Sequence, residues 1–213
     1  MRVEQLTVGP LEENCWLLID PVSHDAVLVD PGDEADRLLA AVDAQGTTLR
    51  EIWLTHAHFD HVGAVAAIRR AVDVPIRLHP LDLPLYRLAT QSAVRFGLHV
   101  ENPPEPTVAL AAGDVLHLGA VEFTVYHVPG HAPGHVAFVG GGLCVSGDLL
   151  FEGSTGRTDL PGCDPAAMQR SLQDLASWPG ALRVLTGHGP STTVARELSH
   201  NPFLRGLARP VGA

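Results

Sequence analysis

A short polar run after an apolar segment is the feature that most limits how this chain can fold. Glu51–Leu54 predicts a strand, Gly63–Ala71 predicts a helix, and three imidazoles and one carboxylate lie between them. These four side chains are His56, His58, Asp60 and His61. Nitrogen and carboxylate oxygen donors suit Zn, Fe or Mn. The strand must therefore end where a metal centre can form.

The spacing within this run indicates that its side chains face two different metal ions. Alternate side chains of an extended backbone point the same way, so His56 and His58 are expected to bind one ion. A turn after Phe59 would direct Asp60 and His61 towards a second ion. The alternative is a solvated loop with Asp60 as the N-cap of the next helix. The pattern His-x-His-x-Asp-His is rare enough by chance to favour the metal centre.

Three more candidate ligands lie beside predicted strand ends, and each has a neighbouring glycine. They are His131, Asp148 and His188. Glycine lets the backbone approach a crowded site and take a positive φ. Any one of the three alone is typical of an ordinary loop residue. Their shared setting predicts that they meet at one site.

The composition excludes several classes of function. The chain has 213 residues, 46% of them apolar and 18% charged, with a net charge of −10. This content suits one buried core and disfavours disorder. All 14 basic residues are arginine, so lysine Schiff bases and a phosphate-loop lysine are ruled out. An acidic chain also lacks the clustered positive charge that nucleic-acid binding requires.

The sequence further predicts a cytoplasmic protein that does not act on a membrane. No run approaches the roughly 20 apolar residues of a membrane span. The first residues lack the apolar region of a secretory signal. Three cysteines are too few for a disulfide scaffold. The oligomeric state is not indicated by any of these features.

Strand-like and helix-like segments occur together in both halves of the chain. Predicted strands are Val3–Val8, Cys15–Ile19, Ala26–Val29, Glu51–Leu54, Pro75–Leu78, Val115–Leu118, Val121–Val128, Val136–Val139, Leu143–Ser146 and Leu182–Leu185. Predicted helices are 34–44, Gly63–Ala71, Leu81–Leu88 and Pro165–Leu175, the last with Asp164 as N-cap. The proline-rich segment 97–107 is expected to be a surface loop and an internal joint. The pattern is α/β, with two sheets face to face and helices outside.

The chain resembles the metallo-β-lactamase fold superfamily. The likeness rests on His-x-His-x-Asp-His, a later Gly-His, an apolar strand ending in Gly-Asp, and a last Gly-His-Gly. The matching positions run in the expected order from Val29–Gly32 to His188 and cover most of the chain. The resemblance implies a four-layer αββα sandwich with metal ions at one edge between the sheets.

The resemblance also implies two metal sites joined by a carboxylate. The first ion would be held by His56, His58 and His131. The second would be held by Asp60, His61 and His188. Asp148 would bridge both, and Asp60 and Asp148 are the expected catalytic carboxylates. The implied cofactors are two divalent ions, zinc in the first place and iron or manganese as the other options.

Two further residues are expected to support the ligands without joining them. Asp30 matches an aspartate that orients the metal-binding loop in this superfamily. The alternative for Asp30 is an ordinary turn residue before Pro31. His135 lies near His131 in sequence but has no place in the ligand count, so a supporting or packing role is predicted.

Within the superfamily, the chain resembles the short, single-domain branch of glyoxalase II-like proteins, the hydroxyacylglutathione hydrolases. The likeness rests on Gly147–Phe151, Gly156–Gly162 and the tail Asn201–Arg205. It implies that a bridging hydroxide cleaves a small-molecule thioester such as S-2-hydroxyacylglutathione. Residues 1–213 are expected to form a single domain without the C-terminal helical domain of full glyoxalase II. That domain supplies much of the glutathione pocket, so the thiol carrier is left open.

Arg157 is the predicted substrate-binding residue, because its guanidinium can engage both oxygens of a carboxylate. The alternative is a loop arginine paired with Asp159. Other functions also stay open on the same fold. One is a persulfide dioxygenase with a single iron, and another is a lactone hydrolase. A structural metal in a binding module is disfavoured, because such sites are usually closed and rich in cysteine.

Overall fold

Two six-stranded sheets form the centre of the molecule, described from a computed structural model that covers residues 1–212. The first sheet has the strand order β1-β2-β3-β4-β5-β6. Its strands are β1 (Arg2–Val8), β2 (Glu13–Ile19), β3 (Asp25–Val29), β4 (Thr48–Trp53), β5 (Ile76–Leu78) and β6 (Val108–Ala109). Strands β1 to β3 pair antiparallel, and β3 to β6 pair parallel.

The second sheet has the strand order β14-β13-β10-β9-β8-β7. Its strands are β7 (Val115–Leu118), β8 (Val121–His127), β9 (Val136–Gly140), β10 (Leu143–Gly147), β13 (Arg183–Thr186) and β14 (Thr192–Thr193). Only β10 and β13 pair parallel in it. A separate two-stranded ribbon consists of β11 (Leu150–Phe151) and β12 (Ser154–Thr155).

Seven helices lie among these strands in residues 1–212. They are α1 (Ala35–Ala44), α2 (Phe59–Val62), α3 (Val65–Ala71), α4 (Leu83–Arg87), α5 (Ala89–Arg95), α6 (Pro165–Leu175) and α7 (Val194–His200). A 3₁₀ turn, Pro80–Asp82, precedes α4. The side chain of Asp164 accepts a hydrogen bond from the Ala167 N–H at 2.9 Å, as expected of an N-cap. No helix within residues 1–212 is long and apolar enough to cross a membrane.

The apolar side chains form three layers, which confirms the four-layer αββα architecture. In β2, Leu17 faces the layer beneath helices α1 and α3, whereas Trp16 and Leu18 face the layer between the sheets. This alternation follows from the two-residue repeat of a strand buried on both faces. The third layer packs Met168 and Leu172 of α6 against the outer face of the second sheet.

The structure differs from the predicted elements in several places, including α2, β6 and β14, which were not predicted. Strand β2 begins at Glu13 and not at Cys15, and the ribbon β11–β12 was not predicted. The helix predicted over Leu81–Leu88 is a 3₁₀ turn followed by α4, and α5 was missed. Helix α5 buries only alanines, Ala89 and Ala93, so it carries no stripe of large apolar residues to detect. The segment 97–107 is a loop, as predicted, and the first sheet ends just after it.

Candidate metal centre

Four strand ends meet at one edge of the sandwich and carry the predicted ligands. The run from His56 to His61 follows β4 and continues into α2. The segments after β8, β10 and β13 contribute one candidate each. These are His131, Asp148 and His188. Every predicted ligand is therefore brought to the same place, although the seven positions span more than 130 residues of sequence.

Three histidines form one group, which we call the imidazole trio. Its members are His56, His58 and His131, and their ligand atoms lie within 4.8 Å of one another. His58 Nδ1 and His131 Nε2 are 2.8 Å apart. His56 and His131 are buried, and His58 is half-buried. Three converging nitrogen donors of this kind form a set that Zn²⁺ or Fe²⁺ accepts.

A second group, the mixed trio, consists of Asp60, His61 and His188 and also lies within 4.8 Å. His188 Nε2 is 3.4 Å from Asp60 Oδ2, and His61 Nε2 is 3.9 Å from the same oxygen. His61 is buried, whereas Asp60 and His188 are half-buried. This group therefore combines one carboxylate with two imidazoles.

Asp148 lies between the two trios, with one oxygen towards each. Its Oδ2 is 3.3 Å from His131 Nε2, and its Oδ1 is 3.5 Å from His61 Nε2. This position fits the bridging role that the sequence predicts. A Cβ at position 187 would overlap Asp148 Oδ1, so Gly187 permits the close approach of the two strand ends.

Hydrogen bonds fix three of the rings so that Nε2 faces the centre. His131 Nδ1 bonds the carbonyl of Arg157 at 2.8 Å, and His188 Nδ1 bonds the carbonyl of Leu11 at 3.1 Å. His61 Nδ1 donates to Asp30 Oδ2 at 3.2 Å. Such bonds on the second ring nitrogen are typical of histidines that bind metal.

Unpaired buried atoms show that the residues fit a metal ion. Within residues 1–212, His56 Nε2, His61 Nε2 and Asp148 Oδ1 are buried without a hydrogen-bond partner. A buried polar atom without a partner raises the free energy of the folded state, and cations bound at this centre would satisfy all three atoms. The donor set of nitrogen and carboxylate oxygen is correct for Zn, Fe or Mn.

The imidazole trio is held in its neutral form. Burial lowers the pKa of His56 well below its ordinary value, and the neighbouring His61 lowers it further. Burial, followed by the proximity of His131, lowers the pKa of His58 to about 3. The pKa of His131 falls to about 4, again chiefly through burial. Neutral imidazole is the form that binds metal, so this trio is prepared for an ion.

The mixed trio behaves in the opposite way. Burial alone would lower the pKa of His61, but Asp148 and Asp30 outweigh it and raise that pKa well above the ordinary value. For His188, burial is likewise outweighed by the hydrogen bond to Asp60, and the pKa rises. Burial would raise the pKa of Asp60, yet the His188 contact holds it below its ordinary range. The carboxylates around this trio thus favour positive charge at His61 and His188.

Asp30 supports the run after β4, as the sequence predicts. Its carboxylate accepts from the Thr55 N–H at 2.7 Å and from Thr55 Oγ1 at 2.6 Å, besides the bond from His61. Asp30 also lies within 4.8 Å of His56 and His61 as a possible third ligand group. Because Thr55 and His61 already engage its oxygens, we interpret it as a support of the ligands.

Asp82 is a second supporting aspartate, and sequence reasoning missed it. The buried carboxylate accepts from the Ala57 N–H at 3.0 Å and from the Gly134 N–H at 2.5 Å. Ala57 lies between two ligands of the imidazole trio, and Gly134 follows the third. Burial raises the pKa of Asp82 to about 6, although both hydrogen bonds oppose the rise. The helix predicted over Leu81–Leu88 includes Asp82 in its first turn, where nothing in the sequence signals this role.

Glu13 is a buried acid beside the mixed trio that sequence reasoning also missed. Its Oε1 lies 3.8 Å from His61 Nδ1, and neither carboxyl oxygen has a hydrogen-bond partner within residues 1–212. Burial raises the pKa of Glu13 well above its ordinary value, although the neighbouring His61 opposes the rise. The signal available in the sequence is a charged residue at the first position of a largely apolar strand.

His135 and Arg157 occupy different parts of the site. His135 is buried, and its Nε2 accepts the Asp148 N–H at 3.1 Å, so it supports the bridging aspartate. Arg157 lines the cavity, but its guanidinium pairs with Asp159 through bonds of 2.6 and 2.9 Å. The structure therefore shows the ion pair with Asp159 that was the alternative prediction for Arg157.

A cavity of about 640 Å³ opens onto both trios. The floor includes His58, His131 and Asp148. One wall comes from α4, α5 and Phe96, and the other from Phe151 to Pro161. This volume suits a small-molecule ligand.

Comparison with known proteins agrees with this geometry. The family profile described as "Metallo-beta-lactamase superfamily" matches residues 8–188. Hydroxyacylglutathione hydrolase GloC of Haemophilus influenzae is 33% identical over 96% of this chain and 98% of its own. The crystal structure of TTHA1623 in a di-iron-bound form is 50% identical, with a TM-score of 0.89, over 95% of this chain and 100% of that one. BLEG-1 B3 metallo-β-lactamase is 35% identical, with a TM-score of 0.89, over 95% and 99% respectively.

Proposed function

The chain belongs to the metallo-β-lactamase superfamily, and on that premise we propose that it is a thioester hydrolase with two divalent metal ions. The observation that carries the proposal is the pair of trios joined by Asp148. A single-metal site would need only one trio. The substrate is a small molecule, since the centre opens into one cavity of about 640 Å³.

The imidazole trio would hold one ion and the mixed trio the other, with Asp148 shared. Bound there, two such ions would supply Lewis acidity towards a carbonyl and lower the pKa of water. Zinc suits the donors, and the di-iron form of TTHA1623 makes iron the second candidate. Asp30, Asp82 and His135 would keep the ligand loops in place before substrate arrives.

The leaving group decides between a thioester and an amide. Hydrolysis adds water across the acyl–sulfur bond and yields a carboxylate, a thiol and a proton. A thiol with a pKa of about 8.5 can leave as thiolate without an acid catalyst. An amine must be protonated on departure. The acids and imidazoles lining the cavity are His58, Asp60, His131, Asp148 and His188. All of them belong to the candidate ligand set, which favours the thioester.

Two relatives suggest substrates without fixing one. GloC of Haemophilus influenzae is a hydroxyacylglutathione hydrolase, and BLEG-1 is a β-lactamase. The absence of a spare acid among the lining residues disfavours the β-lactam amide. A persulfide dioxygenase with one iron is the second candidate function, and it would use the imidazole side of the site with Asp148. The mixed trio is the observation that favours the hydrolase over it.

The test combines metal content with oxygen dependence. Protein purified without added metal would be analysed for zinc, iron and manganese. It would then be assayed with S-lactoylglutathione and with glutathione persulfide, with and without oxygen. The proposal expects near two ions per chain and thioester cleavage that is independent of oxygen. One iron per chain, with oxygen uptake that requires persulfide, would overturn it.

A further inference from the structure

The cavity wall opposite the ligands contains large apolar side chains that are exposed to solvent. Leu88 and Phe96 are 44% and 51% exposed, and Leu11 is 39% exposed, and all three line the cavity. Leu85 lies on the same wall as Leu88 and Phe96, and Phe151 and Leu160 add apolar side chains on the other wall. Exposed apolar residues gathered around one concavity indicate a ligand with apolar surface to bury.

One cation on this wall lacks an acidic partner. Arg95, in the last turn of α5, lines the cavity and is exposed. In the part of the chain that the structure describes, it makes neither an ion pair nor a side-chain hydrogen bond. The neighbouring arginines differ, since Arg87 is paired with Glu105 and Arg157 with Asp159. Arg95 is therefore the lining cation that is available to an anion from outside.

The cavity is poorly matched to a glutathione thioester. Glutathione carries two carboxylates, an ammonium group and two amides. Apart from Asp60 and Asp148, which belong to the metal centre, the described lining residues include no acid to receive an ammonium group. A second substrate carboxylate would have to pair with Arg157, whose guanidinium is already bound to Asp159.

We propose that the substrate of this chain carries an apolar segment and a single anionic group, recognised by the Leu88–Phe96 wall and by Arg95. The inference rests on the proposed function, because it concerns which thioester the same centre cleaves. The scissile carbonyl would lie over the two trios. The apolar segment would cover Leu88 and Phe96, and the anion would pair with Arg95. Substrate class is thus set by helix α5 and the residues directly before and after it.

Binding without reaction tests the recognition itself. The probe is 1-octanesulfonate, which joins an apolar chain to one anion and is a weak metal ligand. Calorimetric titration of the metal-loaded protein should show binding. Arg95→Gln should weaken it about threefold to tenfold, the range of one partly exposed charge-assisted contact. Arg87→Gln, on the same surface but outside the cavity lining, should leave it unchanged.

Two further probes separate charge from chain. Octanol, which has the chain alone, should bind wild type and Arg95→Gln equally. Leu88→Asn should weaken both octanol and octanesulfonate, because it removes apolar contact. Equal affinity of octanesulfonate for wild type and Arg95→Gln would overturn the role of Arg95. Equal affinity for wild type and Leu88→Asn would overturn the apolar wall.

Thioester kinetics keep this inference distinct from the proposed function. S-octanoyl-3-mercaptopropionate should be cleaved with a higher kcat/KM than S-lactoylglutathione. A preference for S-lactoylglutathione would overturn the substrate class but leave thioester hydrolysis standing. Cleavage of neither thioester by protein carrying two ions would overturn the function. Binding of octanesulfonate that depends on Arg95 would still support the recognition in that case.

Discussion

The imidazole trio and the mixed trio share Asp148 but differ in charge and in support. Burial lowers the pKa values of the three histidines of the first, whereas carboxylates around the second raise the pKa values of His61 and His188. The ligand loops of the first are tied together by Asp82, and His61 of the second is oriented by Asp30. The trios are therefore two sites built by different means.

This difference in charge explains how one edge of the sandwich could hold two cations close together. Two identical neutral trios would leave two adjacent positive ions without compensation. The carboxylates Asp60 and Asp148 place negative charge on the side of the second ion and between the two. Substituting residues that belong to only one trio can separate the two sites.

The largest expected effect comes from removing one ligand from each trio. His188→Ala should release the ion of the mixed trio and leave that of the imidazole trio, whereas His131→Ala should do the reverse. Each loss should reduce thioester cleavage by at least about a hundredfold, more than the loss of a supporting residue. Metal content per chain and kcat/KM are the measurements. His200→Ala, which changes an exposed histidine of α7, is the control. Loss of both ions from either variant would show that the sites are not separable.

The next effect concerns the two supporting aspartates. Asp82→Asn retains one acceptor but can no longer receive both the Ala57 and Gly134 N–H groups. It should weaken metal binding at the imidazole trio about tenfold to a hundredfold. Asp30→Asn should weaken the mixed trio by a similar factor. Competition with a metal chelator would measure both affinities.

A matched control for these variants is Asp114→Asn, because Asp114 accepts a backbone N–H in an exposed turn and does not line the cavity. It should leave both affinities unchanged. If Asp82→Asn and Asp30→Asn weakened the same site, the supports would not be specific to one trio.

A third prediction follows from the pKa of Asp82, which burial raises from 3.8 to about 6 in the folded chain. Between these values the folded state holds a proton that the unfolded state has lost. The contribution of Asp82 to stability is therefore greatest below pH 4 and is lost as pH rises through about 6. The change should be about 2 to 3 kcal/mol.

Chemical denaturation of metal-free protein at several pH values would measure this contribution. The free energy of unfolding of Asp82→Asn, relative to wild type, should rise between pH 4 and pH 7. A difference that does not vary with pH would mean that Asp82 is ionised throughout this range.

The smallest expected effect concerns Arg157. If Arg157 mainly pairs with Asp159, then Arg157→Gln and Asp159→Asn should lower the free energy of unfolding equally and only slightly, because the pair is exposed. Neither should change kcat/KM. A raised KM in Arg157→Gln alone would show that the guanidinium leaves Asp159 to bind substrate.

The ligand positions could be predicted because each carries a local signal. His56 to His61 form a dense motif, and His131, Asp148 and His188 each follow a strand end beside glycine. Asp82 carries no such signal, since it acts on backbone groups 25 and 52 residues away, and Glu13 carries only that of a charged residue at the start of a largely apolar strand. The sheets could be predicted from short apolar runs bounded by turn-forming residues. Helix α5 did not, because it buries only small side chains, and the cavity wall with Arg95 was missed along with it.

The most direct test is anomalous diffraction from crystals of the metal-loaded protein, recorded above the absorption edge of the bound metal. The account predicts two anomalous peaks, one beside His56, His58 and His131 and the other beside Asp60, His61 and His188, with Asp148 between them. A single peak in the imidazole trio would contradict the two-ion centre.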